Sequence, residues 1–404
     1  MKPLITNVLS NKRVAIINWT LLCLMPILGM AIDLITPSLP AIATELSISD
    51  GLSKDLISIY LLGFAFGNFF TGFLTDAWGR KILLRSILLG AVVSSLLPVV
   101  FPNIDVLLAA RLLQGLMLGA YSILMRAIFA DILSTDKLVH QGTLIATMWG
   151  LSPILGPVIG GYLQLYLGWK ANFYILALVV FLFFIVIMII IPETHSKPHK
   201  LNFATIKSSL RQVLRTPIFV GLGMIIGTTY SLIIVFQTVA PFLIQNKLGH
   251  SPVFFGYCAL WLGVVFLIAT FLCRAIIKRI DVDRLLVVII PVVTLIALLC
   301  LIGTCFSQSL LSIEISSSLM FFACGLIFPL ALGKGMILSK QTSAVAISVM
   351  YLLNILISSL SSFTVSFFNT NSAIMLAGIY FVLMLVCLVV YWKIVHRRTV
   401  YVNS

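Results

Sequence analysis

This sequence has little charge. Of its 404 residues only 9% are Asp, Glu, Lys or Arg, against about 25% in an ordinary soluble domain. With 61% of its residues drawn from A, V, I, L, M, F, W, Y and C, neither a soluble enzyme nor a disordered chain is compatible with it. Cysteine is sparse as well. The seven are scattered in or beside apolar stretches with no C-x-x-C pair, so they read as small packing residues, not as a disulfide framework or a metal centre. His195 and His199 are four apart, but no Cys or acidic cluster accompanies them, and no metal is expected. Nucleotide-binding, metalloprotease and hydrolase signatures are missing. An enzyme is therefore not expected. Period-two alternation is missing too, which excludes a membrane barrel.

What is present is a series of continuous apolar runs. A helix needs about 20 such residues to cross about 30 Å of hydrocarbon. Twelve runs qualify, at 14–40, 55–75, 82–101, 106–130, 138–164, 171–191, 217–244, 252–278, 284–304, 310–335, 341–368 and 373–393. The net charge is +14, and its distribution argues for topology and anionic lipid, not nucleic acid. With the N-terminus inside, 22 of the 26 Lys and Arg residues fall on the cytoplasmic side. Three (Lys54, Lys170 and Lys247) fall outside, and Arg111 lies within a span. Both termini are thus expected in the cytoplasm.

The one long connection, 192–216, carries Pro192, Pro198 and five basic residues. Within it, 201–215 reads equally as a basic linker or as a surface helix. It divides the chain into six spans plus six. The expected fold is all-α: twelve transmembrane helices in two pseudo-symmetric six-helix bundles, 1–194 and 217–404, joined by a basic linker at 195–216. Such a plan suits a carrier with a central site and alternating access.

Away from the span ends, two charges lie clearly within the membrane in the first six spans. Asp33 is nineteen residues beyond Val14, ~28 Å up from the inner end. Arg111 is about five residues, or ~8 Å, below the outer end of span four. They share a depth. An unpaired Arg in hydrocarbon costs at least about 2.5–3.5 kcal/mol, so Arg111 calls for a carboxylate or a watery cavity. The pair reads either as a static tie or as an exchangeable proton and substrate site. Glu45, Asp50, Asp55 and Asp105 lie in or beside outer loops, and Glu314 begins span ten near the outer face.

The loop after span two runs Gly72-Phe-Leu-Thr-Asp76-Ala-Trp78-Gly79-Arg80-Lys81. Gly72 allows close helix approach, and Gly79 allows a tight turn. This string resembles the hallmark loop of the major facilitator superfamily, with Ala77 where Arg is usual. The resemblance implies a cytoplasmic latch. Asp76 would meet the start of span eleven near 340–343, and Asp131 would partner the motif's basic residue. In span five, Ser152-Pro153-Ile-Leu-Gly156-Pro157-Val-Ile-Gly160-Gly161 should be bent by Pro153 and Pro157. It resembles the motif of the family's exporters, with Ser152 in place of the first Gly. The Asp33 string, with Pro37 and Pro40, and the Arg111, Gln114, Gly115 string resemble drug/proton antiporters of the Bcr/CflA type. Met25 stands where some relatives carry a further acid, so no second proton site is expected there.

The resemblance implies a proton-coupled exporter of small amphipathic compounds in a bacterial inner membrane. It implies a monomer with no cofactor beyond the proton. A dedicated exporter of a native metabolite, such as a siderophore, an amino acid or a nucleoside, is the alternative. An importer is disfavoured by the span-five motif. Asn68, Gln114, Tyr230, Gln237, Tyr257, Trp261 and Asn354 are candidate cavity residues, each also consistent with helix packing.

Overall fold

The computed structural model describes residues 10–134, 137, 138, 141, 144, 145, 148, 150–194, 211, 214–339, 344–368 and 372–396. Among them there are helices and no strand. Helices α1 (Asn11–Asp33), α2 (Leu39–Glu45), α3 (Asp50–Trp78), α4 (Arg80–Val100), α5 (Ile104–Ile132), α6 (Ser152–Leu167) and α7 (Lys170–Ile190) precede the central connection. Helices α8 (Pro217–Pro241), α9 (Pro252–Ile276), α10 (Val282–Phe306), α11 (Leu310–Ser339), α12 (Ala344–Ser366) and α13 (Ala373–Val390) follow it. Among the described residues, eleven helical stretches are long and apolar enough to cross a membrane. The remaining expected span, 138–164, is represented by the 16 residues of α6. The latch region 340–343 and His195 and His199 lie outside the described residues, as does the candidate surface helix apart from residues 211, 214 and 215.

Polar caps start the helices where the apolar runs begin. Asn103 Oδ1 accepts from the Val106 N–H at 2.9 Å, and Ser251 Oγ from Phe254 at 3.1 Å. Each satisfies a first-turn donor. Gly79, at φ 84°, turns the chain between α3 and α4, a conformation that carries no Cβ penalty only for glycine.

Span one is not the continuous helix expected over 14–40. It ends at Asp33, makes a 3-10 turn at Thr36–Ser38, and resumes as α2. Pro37 and Pro40 explain the break. A helix would need the N–H of residue 37 to bond the Asp33 carbonyl, and proline has none. Thr36 Oγ1 donates to that carbonyl instead, at 2.8 Å. The helix of span two starts five residues before the apolar run at 55–75, so Asp50 and Lys54 precede that run but are helical. They form the first turns of α3, with Asp50 at the positive end of the helix dipole.

The chain divides into two compact units. One holds the described residues up to Ile48 together with those from Ile59 through the end of α7. The other holds Ser49–Ser58 together with α8 to α13. Within the second, Ser58 Oγ donates to Ser362 Oγ at 3.0 Å, and Ser359 Oγ donates to the Ser58 carbonyl at 2.7 Å. Lys54 Nζ sits 4.9 Å from the centre of the Phe242 ring.

In the first unit, α3 and α5 meet through two glycine pairs. Gly63 and Gly67 lie against the carbonyls of Leu112 and Leu116, and Gly115 and Gly119 against those of Tyr60 and Phe64. Both strings have the four-residue spacing that opens a flat helix face. Gly72, expected to serve close approach, has room: an added Cβ would come no nearer than 4.0 Å to Ile123 among the described residues.

Candidate functional site

Asp33 is the last residue of α1, where the broken helix leaves its end open. Its side chain is buried, at 5% exposure. Ser152 Oγ donates a hydrogen bond to Asp33 Oδ2. Ser152, Gly156 and Gly160 are spaced by four, so α6 presents them on one face. A Cβ on Gly156 would strike Asp33 Cβ, and one on Gly160 would strike the Leu34 carbonyl. The span-five string therefore packs directly on the Asp33 end of α1. Pro157 and Gly161 are buried in the same helix, and Pro157 interrupts its hydrogen bonding. Pro153 does not bend the helix as expected. It falls in the first turn of α6, where its missing N–H has no partner to lose.

Arg111, in α5, is 1% exposed. Its Nη1 donates to the Ala31 carbonyl at 2.9 Å and to Gln114 Oε1. Its guanidinium carbon lies 4.3 Å from the centre of the Tyr60 ring. The last carbonyls of α1 carry the negative end of the helix dipole, and the Tyr60 face adds a cation–π contact. A carboxylate or a watery cavity was the expected support. The structure adds a helix end, an amide and an aromatic ring. Gln114 is held in turn, its Nε2 donating to Ser95 Oγ at 2.8 Å. Beside these groups is a cavity of about 10 Å³ lined by Arg111, Gln114 and Asn172, enough for about one water molecule. Asn172 Nδ2 donates to Ser38 Oγ at 2.8 Å. Its Oδ1 is buried with no hydrogen-bond partner among the described residues. Ser152, Ala31, Tyr60, Ser95 and Asn172 were not singled out from sequence. Ser152 carried a signal, because it was the polar departure in the exporter-like motif.

The turn between α3 and α4 forms a second cluster. Arg80 Nε donates to Asp131 Oδ2 at 3.1 Å, and Thr194 Oγ1 donates to the same oxygen at 3.0 Å. Glu193 was missed as a partner. Its Oε1 and Oε2 accept from the backbone N–H groups of Arg80 and Lys81, at 2.8 and 3.0 Å. It thus caps the N-terminus of α4, where a negative charge is favoured. Gly79 packs against that carboxylate, 3.0 Å from an ideal Cβ. The side chain of Asp76 lies outside the described ones.

The second unit holds a counterpart with the signs exchanged. Lys334 Nζ, near the end of α11, pairs with Asp283 Oδ1 at the start of α10. In the first unit the cation starts α4 and the carboxylate ends α5. Each pair joins the third and fourth spans of its own unit.

The remaining candidates are spread over both units. Asn68 Nδ2 donates to Ser122 Oγ at 2.8 Å. Tyr230 lies 6.1 Å from the Phe328 ring, and Gln237 is buried. Tyr257 and Trp261 are half exposed, and Trp261 Nε1 donates to Ser318 Oγ at 3.1 Å. Asn354 Oδ1 is buried with no hydrogen-bond partner among the described residues, and so is Glu314 Oε1 on α11.

The sequence model of the Major Facilitator Superfamily matches residues 21–354. The bicyclomycin resistance protein homolog of Haemophilus influenzae is 27% identical over 285 residues, which is 69% of this chain and 70% of that one. The chloramphenicol resistance protein CraA of Acinetobacter baumannii is 24% identical over 322 residues, 79% and 78% of the two chains. For several other curated relatives the match spans 60 to 65% of their length. Among solved structures, the D-xylose-proton symporter superposes with a TM-score of 0.71 at 18% identity, covering 94% of this chain and 98% of that one.

Proposed function

Because the chain belongs to the Major Facilitator Superfamily, we propose that it is a proton-coupled exporter of small amphipathic compounds. It would work by alternating access in a bacterial inner membrane, with both termini in the cytoplasm. The observation that carries this reading is the buried Asp33 at the broken end of α1, gripped by Ser152 of the exporter-like helix. An ionisable group at such depth is costly and marks an ion or substrate path. Broken helices place such groups where the cargo binds. Resistance proteins among the relatives support a drug-like cargo.

In this reading Asp33 takes the proton. When it is ionised, Ser152 donates to it. When a proton arrives, the carboxyl no longer needs that donor, and the seam between α1 and α6 is free to change. Arg111, seated on the carbonyl of Ala31 two residues before Asp33, supplies a fixed positive charge at this end of α1 while proton and cargo compete for Asp33. One charge moving across 100 mV is worth about 2.3 kcal/mol, enough to sustain a concentration gradient of roughly fiftyfold.

The test is proton release when candidate compounds are added to purified protein. Wild type should release protons, and Asp33→Asn should not. Release that is unchanged in Asp33→Asn but lost in Glu314→Gln would move the proton site to α11. No response to a broad panel of drugs, with a response to a single metabolite class, would make the protein a dedicated metabolite exporter.

A further inference from the structure

The first unit carries a second cavity, of about 640 Å³, far larger than the one beside Arg111. It lies between the first turns of α4 and the last turns of α7. Lys81 and Arg85, one helical turn apart on α4, form its basic edge, and Glu193 is its lone acid. Both Glu193 oxygens accept backbone N–H groups at the start of α4, so this charge also serves the helix N-terminus. The rest of the lining is apolar. Ile82 and Ile189 are 62% and 74% exposed on its flanks. A third cation stands at the same end of α7, where Arg13 Nη2 donates to the Ile190 carbonyl at 3.4 Å.

Positive charge at one end of an apolar groove is the complement of an anionic headgroup with its acyl chains. A soluble phosphate would use the cations but leave Ile82 and Ile189 in contact with water. Neutral lipid would use the groove but not the charge. We propose that the groove between α4 and α7 binds one anionic phospholipid of the cytoplasmic leaflet. Its phosphate would sit on Lys81 and Arg85, and its chain would run along the apolar wall of α7. The leaflet assigned rests on the orientation proposed above; the binding itself does not rest on transport.

Native mass spectrometry of the purified full chain in detergent tests this without any transport step. Phosphatidylglycerol is titrated against phosphatidylcholine of the same acyl chains. Each basic residue adds about five- to sixfold in affinity for an anionic lipid, so the first phosphatidylglycerol should bind about thirtyfold tighter. The double variant Lys81→Gln/Arg85→Gln should erase that preference, and Lys278→Gln/Arg279→Gln at another basic turn should keep it. Ile185→Trp, which fills the groove and keeps both cations, should weaken the first equivalent of either lipid. Equal binding of the two lipids by wild type overturns the proposal, and so does a preference that survives Lys81→Gln/Arg85→Gln. Full displacement of phosphatidylglycerol by glycerol phosphate alone would also overturn it, by reducing the site to a soluble-anion site.

Discussion

Ser152 Oγ donates its hydrogen to Asp33 Oδ2, joining residues 119 apart in the chain at the point where α1 breaks. The donor stands on the same face of α6 as Gly156, which has no side chain and so lets Asp33 lie against the helix. A hydrogen bond to an ionised group is worth about 1.5–3 kcal/mol. Ser152→Ala should therefore lower drug-driven proton release by roughly tenfold to a hundredfold. Ser152→Thr, which keeps the hydroxyl, should lose less. Equal transport by Ser152→Ala and wild type in proteoliposomes would remove this bond from the mechanism.

Gly156→Ala would drive a methyl group into Asp33 Cβ. Backbone on both sides limits relaxation, so overpacking of about 1–3 kcal/mol is expected. Thermal unfolding in detergent should show a lower midpoint, and transport should fall with it. Gly168→Ala is the contrast. An added Cβ there meets nothing within 4 Å, but the residue has a φ of 78°, so its cost would come from backbone strain alone and should leave transport intact.

Arg111→Lys keeps the charge and removes the fork. A lysine cannot serve the Ala31 carbonyl and Gln114 while also lying flat on Tyr60. The loss of one charged hydrogen bond and a cation–π contact predicts about tenfold to a hundredfold slower transport at unchanged expression. A wild-type rate in Arg111→Lys would show that charge alone is what the site requires.

The exchanged ion pairs are open to a double-mutant cycle. Lys334 is buried and Asp283 is partly exposed, so removing either alone strands a charge. Coupling of about 0.5–3 kcal/mol is expected between Lys334→Ala and Asp283→Ala. The reversed pair Lys334→Asp/Asp283→Lys should recover part of the stability lost by either single reversal, read by thermal unfolding. Purely additive effects would show that the two charges do not stabilise each other.

Glu193→Ala removes the carboxylate that caps α4 through Arg80 and Lys81. The expected cost is about 0.5–2 kcal/mol. Glu193→Gln should fall between wild type and Ala, since an amide oxygen still accepts one N–H but carries no charge for the helix dipole. Unfolding midpoints of the three proteins check the order.

Much of the plan is legible in the sequence, because burial in a bilayer imposes rules that act along the chain. Twenty apolar residues span it whatever their neighbours are, and basic residues collect on one side of it. The same local logic singles out Asp33 and Arg111, since a charge in an apolar run demands support wherever the run packs. It also flags Pro37, though not that span one would break there, with Thr36 replacing the missing donor. What tertiary structure decided is which faces meet. That Arg111 finds Tyr60 depends on the seam where Gly63, Gly67, Gly115 and Gly119 draw α3 and α5 together, and that it finds the Ala31 carbonyl depends on α1 packing against α5; its bond to Gln114, three residues on, is local to α5. That Asp33 finds Ser152 depends on α6 laying its small-residue face on α1. Periodicity records that a face is small or apolar. It holds no record of the partner more than a hundred residues away, because that choice comes from complementary shape between two folded helices.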